Sequence, residues 1–312
     1  MTRRLCSLLV GLALCLAGLC AHAGSRVLIV SSDNTAAYLE ASQTLTTELA
    51  RAGVPPDDII LLSLPEWAAQ PELTMQARIY VALGTQATAA LAGGHGSVPV
   101  LAALLPRGNF ERALRSNALK ASSAFTAIYL DQPLQRQLAL IRLALPQAKT
   151  MGVLWGPESW STAPALRAQA AGAGWSLKEA GLDGKLNLFP DLQQVLDGSD
   201  VFLALADAQV FNSNTIQNIL LTTFREQVPM VAFSPAYVRA GALLALHTTP
   251  EQVGRQAAAV VLAALRGKPL PPQPVQANDF EVSVNTHVAR ALNLRLDAQA
   301  LRQALRQLEH LP

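Results

Sequence analysis

Ser31, Ser32, Asp33, Gly84 and Thr85 in the first half of the chain, and Trp155, Glu158, Ser159, Asp207, Ser234 and Tyr237 in the second, share one sequence context: each stands at or just beyond the end of a short apolar run. Hydroxyls, carboxylates and two aromatic rings are groups that hold a small molecule by hydrogen bonds, charge and stacking. They do not assemble a nucleophile. The chain has neither a G-x-S-x-G elbow nor an H-E-x-x-H zinc motif. His95, His247, His287 and His310 show no metal-ligand spacing and read as surface or loop residues. Residues 93–96 are glycine-rich but lack the Lys-Ser/Thr of a phosphate loop and precede an apolar run rather than a helix. Ser31, Ser32, Asp33 and Asn34 stand where a dinucleotide-binding turn has glycines. The expected chemistry is therefore binding without catalysis, with no cofactor and no metal. Each candidate also has a structural alternative. Ser31, Ser32, Ser159 and Asp207 suit helix starts. Trp155 suits an interface between lobes, and Tyr237 a hinge.

The apolar runs are the elements that must position these residues. Residues 26–30, 58–63, 78–83 and 98–103 are short, apolar and bounded by turn residues. Helical patterns follow at 36–52, stopped by Gly53, and at 86–92. Continuous rather than alternating apolar strands, separated by helices, predict a parallel sheet covered on both faces. The second half repeats the plan, with strands at 150–154, 200–205 and 228–233. A further strand is expected at 241–246, a helix at 251–266 beginning after Pro250, a short strand at 281–285, and closing helices at 287–293 and 297–308.

The two halves match in order and spacing. Val27 to Val30 answers Met151 to Leu154, Ala82 to Thr85 answers Ala204 to Asp207, and Val98 to Ala102 answers Val228 to Ala232. A domain-sized offset of about 120 residues implies a duplicated α/β lobe rather than a solenoid. The expected fold class is α/β, with two Rossmann-like lobes built on parallel sheets and a cleft between them. The expected division is a leader at 1–23, a first lobe at 24–126, a second lobe at 127–247, and a return helix and tail at 248–312 packing mainly on the first lobe. In such sheets ligands lie beyond the carboxyl ends of the strands. Ser32, Asp33 and Thr85 would then face Trp155, Asp207, Ser234 and Tyr237 across the cleft.

The leader sets the expected compartment. Arg3 and Arg4 precede an apolar run at 5–19, shorter than the roughly 20 residues of a membrane span. Ala21, His22 and Ala23 give a small-x-small cleavage pattern, so export with a mature start at Gly24 is expected. Leu19 before Cys20 is too bulky for a lipobox, which argues against a lipid anchor. Cys6, Cys15 and Cys20 all lie in this leader, so disulfides and thiol chemistry are not expected of the mature chain. The 24 Lys and Arg against 22 Asp and Glu become even once Arg3 and Arg4 are removed. A neutral chain without a basic run carries no electrostatic footprint for nucleic acid or anionic lipid.

Asp131, Gln132, Pro133 and Leu134, then Leu138, Leu145, Pro146 and Met151 to Leu154, make up a segment that resembles the middle of ABC transporter substrate-binding proteins of the tryptophan- and amino-acid-binding kind. Val228, Pro229, Ser234, Val238, Gly241 and Ala242 carry the same resemblance, as do Gly254 to Ala258, Gly267 and Lys268. Val284, Asn285, Ala289 and Leu292 to Leu294 extend it into the tail. The resemblance implies a type I periplasmic-binding-protein fold with a hinge between the lobes. It implies cleft-lining roles for Ser32, Thr85, Asp207, Ser234 and Tyr237. Two segments depart from the family's pattern: Leu105 to Gly108 replaces an Asp-Pro pair, and Ala124 to Ala127 replaces an Asn-x-Thr-Gly turn. Both are expected to border the cleft.

The resemblance implies a periplasmic, monomeric receptor that captures an amino-acid-like solute for ABC permease subunits. A second expectation keeps the fold and changes the partner, to a membrane receptor or sensor kinase. An exported hydrolase or reductase ranks last, for want of a nucleophile and base.

Overall fold

The computed structural model describes residues 26–182 and 188–310, and the repeated runs become two sheets of equivalent strand order. The leader expectations on residues 1–23 lie outside the described residues. The first sheet holds β1 (Arg26–Ser31), β2 (Ile59–Ser63), β3 (Ala77–Leu83), β4 (Val100–Leu105) and β5 (Phe125–Tyr129). Its order is β2-β1-β3-β4-β5, parallel throughout. The second holds β6 (Thr150–Trp155), β7 (Ser176–Gly181), β8 (Val201–Leu203), β9 (Met230–Ala232), β10 (Leu244–His247) and β11 (Glu281–Val284). Its order is β7-β6-β8-β9-β10-β11, with only β11 antiparallel. Thus β6 takes the place of β1, β8 that of β3, and β9 that of β4.

Helices cover both faces of each sheet, which is why the inner strands are apolar without alternation. In the first lobe α1 (Ala36–Arg51) covers Val27, Ile29, Ile79 and Val81. On the opposite face α2 (Leu64–Ala69), α3 (Thr85–Gly94) and α4 (Arg107–Ser116) follow their strands, and Leu28, Val30, Tyr80 and Ala82 pack there with Leu91 and Phe110. In the second lobe α5 (Leu134–Ala144) and α6 (Ala163–Gly172) cover Met151 and Val153. The other face, with Leu154, Phe202 and Met230, carries α7 (Phe189–Leu196), α8 (Ile216–Arg225) and α9 (Pro235–Ala240).

Three expectations need correction. Phe125–Tyr129 is not a rim turn but β5, five buried residues that carry the first sheet beyond residue 126. Ser176–Gly181 is a strand that the hydrophobic pattern missed, because β7 is a half-buried edge strand with a polar sequence. The segment after 247 divides between the lobes. Helix α10 (Pro250–Leu265) lies on the first lobe, where Val253, Ala257 and Val261 join the core under α1. The remainder returns to the second lobe: β11 pairs with β10, while Ala289 of α11 (Thr286–Ala291) and Leu301 and Leu305 of α12 (Ala298–His310) join its core.

The packing of α10 on α1 depends on Gly254. A Cβ there would stand 2.5 Å from the Ala41 carbonyl oxygen and 2.9 Å from Thr44 Cβ, so the helices would have to part. Gly254→Val should lower stability by about 1–3 kcal/mol, the usual cost of overpacking, measured as a shift of the urea midpoint.

Candidate functional site

The chain passes between the lobes three times, and the three passages are tied together. The first, Leu130 to Pro133, leaves β5 for α5; the second, Thr248 and Thr249, leaves β10 for α10; the third, residues 276–280, runs into β11. Before that third passage, Val275 extends the first sheet: its N–H donates to Ala127 O and its carbonyl accepts from Tyr129 N, both at 2.9 Å. The Gln132 amide donates to Thr248 Oγ1 and, at 3.5 Å, to Asp279 O, while Thr248 Oγ1 donates to Asp279 O at 3.4 Å. One residue from each passage therefore shares one small network. Arg136, only 9% exposed, reinforces it. Its guanidinium donates to Gln132 Oε1 at 2.7 Å and to Ala277 O at 3.2 Å, pairs with Glu309 of α12, and lies 4.6 Å from the Phe280 ring centre. The passages form one joint whose polar groups are satisfied by each other.

Next to this hinge the carboxyl ends of the two sheets enclose a chamber of about 510 Å³. Its first-lobe wall is Leu104, Pro106, Leu130 and Asp131, with Ala37 and Glu40 of α1 above. Its second-lobe wall is Ala204 to Ala206 after β8, Phe233 to Pro235 after β9, and Leu246 to Thr248 at the end of β10. A second compartment of about 350 Å³ shares Asp131, Gln132, Gln137, Leu205 and Ala206 with the first. That annex is amide-rich, adding Gln135, Gln169 and Gln276. Leu104 reaches the chamber through an irregularity. It has φ +58°, sparsely populated for a leucine, where the β4–β5 register shifts between Ala102 and Leu105. Such a bulge re-aims a strand end, and here it turns an apolar side chain into the cleft wall.

Two titratable side chains at the centre behave unusually. Asp131 lies at the junction of chamber and annex. Desolvation by burial pushes its carboxyl up to about 6, although Oδ2 accepts the Arg107 N–H at 2.6 Å. The guanidinium of Arg107 is turned to Glu111 at 2.6 Å, so it does not neutralise Asp131 directly. His247 was expected on the surface, but it is buried at the end of β10, with Nε2 3.0 Å from Ser283 Oγ. Burial holds it below the usual histidine range.

At the rim away from the hinge the lobes touch. Arg112 of α4 pairs with Glu158, and Ser161 Oγ donates to Glu111 at 3.0 Å. Gly108, in the first turn of α4, sits directly against the Glu158 backbone. The Leu105 to Gly108 departure thus lies at the cleft, with Pro106, Arg107 and Gly108 lining one compartment or the other.

The residues singled out from sequence disperse. Ser234 lines the chamber while its Oγ caps α9, accepting Ala236 N–H at 3.2 Å. Tyr237 stands one layer behind, edge-on to Phe233 at 5.1 Å, its hydroxyl donating to Phe211 O at 3.4 Å. Ser32 bridges β3 and α3: Oγ donates to Leu83 O at 2.7 Å and accepts Ala87 N–H at 2.8 Å. Asp33 is exposed and accepts the N–H groups of Asn34 and Thr35 just before α1. Thr85 accepts from the Asn109 amide at 2.8 Å. Neither Ser32, Asp33 nor Thr85 is among the residues that line the chamber or annex.

Trp155 and Asp207 are corrected outright as cleft-lining residues. Trp155 is 1% exposed, part of the second lobe's core, with Nε1 donating to Glu179 at 2.7 Å. Asp207, 3% exposed, accepts from Glu158 N, Ser159 N and Ser159 Oγ on one oxygen and from Gln209 N on the other. It organises a loop and lines neither the chamber nor the annex. The expectation failed because a polar group at a strand end must also satisfy the N–H groups of the next turn or helix. Asp131, Gln132 and His247 were missed as cleft residues. Asp131 and Gln132 lie in a segment valued only for its resemblance, and a lone histidine ending an apolar run carries no site signal.

The comparisons with known proteins agree with this architecture. A comparison with curated proteins finds no match. Among solved structures, CD0873, a substrate binding protein with adhesive properties from Clostridium difficile, in a ligand-free, open structure, aligns with TM-score 0.69 and 17% identity over 88% of this chain and 96% of that one. The ABC domain from Streptococcus pneumonia in complex with L-Trp aligns with TM-score 0.63 and 16% identity over 88% and 97%. A conserved domain protein from Vibrio cholerae aligns with TM-score 0.59 and 21% identity over 89% and 97%. These likenesses establish the two-lobed binding-protein fold. The family model described as ABC transporter substrate binding protein matches residues 70–307, which cover β3 to β11 and all three passages, and the chain belongs to that family.

Proposed function

We propose that this protein is an exported receptor that captures one small solute between its lobes and presents the closed form to a membrane permease. The observation that carries the reading is the chamber with its annex, enclosed by strand ends of both lobes and placed beside a three-stranded hinge. A solute that touches Leu130 and Asp131 on one side and Leu205, Ala206 and Phe233 on the other favours the closed arrangement by its contacts with both lobes. The chamber volume falls within the range of small-molecule sites, and its apolar walls with a few polar groups are typical of them. The leader pattern at 1–23 supports export to the periplasm. The complex of the Streptococcus relative with L-Trp supports an amino-acid-sized metabolite as the occupant.

The reading includes no bond-making step. A serine–histidine contact does occur, Ser283 to His247, but Ser283 does not line the chamber. A solute in the chamber would therefore not reach its hydroxyl.

A thermal-shift screen of small metabolites tests the proposal. At about 100 times its Kd a solute adds roughly 2.7 kcal/mol to stability, which raises Tm by several degrees. Ala206→Trp places an indole at the chamber–annex junction and should remove that shift. A shift of equal size in both proteins, or none across a broad library, overturns the reading.

A further inference from the structure

The charged groups around the chamber are of one sign. Glu40 and Asp131 line it, and among the described residues no lysine or arginine does. His247, the remaining ionisable group on the wall, is kept neutral by its burial. The rest of the main wall is largely apolar: Leu104, Leu130, Leu205, Phe233 and Leu246. Asp131 is the central polar group and reaches both compartments; the Arg107 guanidinium lies on the annex wall beside it but is hydrogen-bonded to Glu111, not to Asp131. Its established partner is the Arg107 backbone N–H, which carries no full charge. A desolvated carboxylate without a counter-ion is costly, and a cation supplied by a ligand relieves that cost. Arg107 lines the adjoining annex but is paired with Glu111, so a carboxylate on the same ligand would find no unpaired cation and would face Glu40 and Asp131 in the chamber.

From this arrangement we infer that the solute is a protonated amine on an apolar body, without a carboxylate, and that Asp131 is the counter-ion of its ammonium group. The inference rests on the solute-receptor reading above and narrows it from amino-acid-sized metabolites to monocationic amines. The amide-rich annex then receives whatever neutral hydrogen-bonding group extends past Asp131.

The pH dependence follows from the groups facing Asp131. Arg107 and Glu111 on α4 are paired with each other, and Tyr129 ends β5 beside them. Glu40 and His247 stand on the chamber wall and Glu158 in the annex, paired with Arg112. An alkyl amine stays protonated across pH 5–8, so the inflection belongs to Asp131. Amine affinity should be constant near pH 8 and fall about tenfold per pH unit below about 6.

Three matched probes test the inference by calorimetry: tryptamine, L-tryptophan and indole-3-propionate. Tryptamine should bind about 10- to 100-fold more tightly than L-tryptophan, whose added carboxylate is desolvated without a partner, and indole-3-propionate should not bind. Asp131→Asn should weaken tryptamine by a similar factor and remove the inflection near pH 6. Loss of folding would not mimic this result. A carboxyl raised by burial stabilises the fold most below 3.8, and that contribution is lost as pH rises through about 6. Asp131→Asn should therefore melt no lower than wild type at pH 7. L-Tryptophan binding as tightly as tryptamine, no binding of tryptamine, or unchanged tryptamine affinity in Asp131→Asn each overturns the inference. If L-tryptophan or indole-3-propionate binds and Ala206→Trp abolishes that binding, the receptor reading stands without the amine. If neither this series nor the metabolite screen binds, both fall.

Discussion

Asp207→Ala should destabilise the protein by about 3–5 kcal/mol, lowering the urea midpoint while the fraction that remains folded keeps an intact chamber. The carboxylate, itself 3% exposed, accepts N–H groups from Glu158, Ser159 and Gln209 and the Ser159 hydroxyl. Removing one partner from a buried hydrogen bond costs about 1–3 kcal/mol, and here four donors lose theirs at once. Partial access of water to the loop keeps the total below the simple sum. The same loop carries Glu158, whose carboxylate meets Arg112 across the cleft and accepts the Ala208 N–H at 3.1 Å. Asp207 therefore acts on the cleft by positioning one of its rims. A variant that lost solute binding at full apo stability would return Asp207 to the list of ligand contacts.

Gly108→Val should hold the cleft open. A Cβ at this position would stand 2.6 Å from the Glu158 carbonyl oxygen and 2.7 Å from Glu158 Cβ. Backbone cannot yield as a flexible side chain does, so the lobes must separate along this rim. A form opened along this rim would lack the contact, so the penalty should fall on closure. A closure penalty of about 3 kcal/mol weakens a solute that binds only the closed form by roughly 100-fold. The urea midpoint should stay near that of wild type, because each lobe keeps its own core. Titration with a solute found in the metabolite screen, beside a urea melt, separates this outcome from simple destabilisation. Unchanged affinity would mean that binding does not require the rim to close.

Most of the architecture was legible because inner parallel strands have a plain signature. β1, β3, β4 and β6 are buried on both faces, so they are written as unbroken apolar runs. The equal spacing of those runs in the two halves foretold the matching strand orders. β7 escaped because an edge strand needs no such run, and its residues from Ser176 to Gly181 are half-buried or exposed. The path of the tail escaped for another reason. The return of α10 to the first lobe was expected, but nothing in the pattern shows that β11 and the helices after it go back to the second.

The candidate site was less legible. The carboxyl-end rule selects the correct end of each sheet but not which strands approach the opposite lobe. The passages leave from β5 and β10, so the lobes meet at that edge, and Leu130, Asp131, Leu246 and His247 form the walls. Ser32 and Thr85, at the ends of β1 and β3, spend their hydrogen bonds within the first lobe. The left-handed backbone of Leu104 has no sequence signal at all. Asp131 did have one: an acid two residues before Pro133, in a segment joining two lobes, is poorly placed to find a partner within either.

The central claim is a place. A crystal structure grown with tryptamine at saturating concentration should show the ligand between Leu130 and Leu205, with its nitrogen within about 3 Å of an Asp131 oxygen, a normal charge-assisted distance. Ligand density in the groove lined by Phe110, Tyr129 and Val275, with the chamber between the sheets empty, would contradict it.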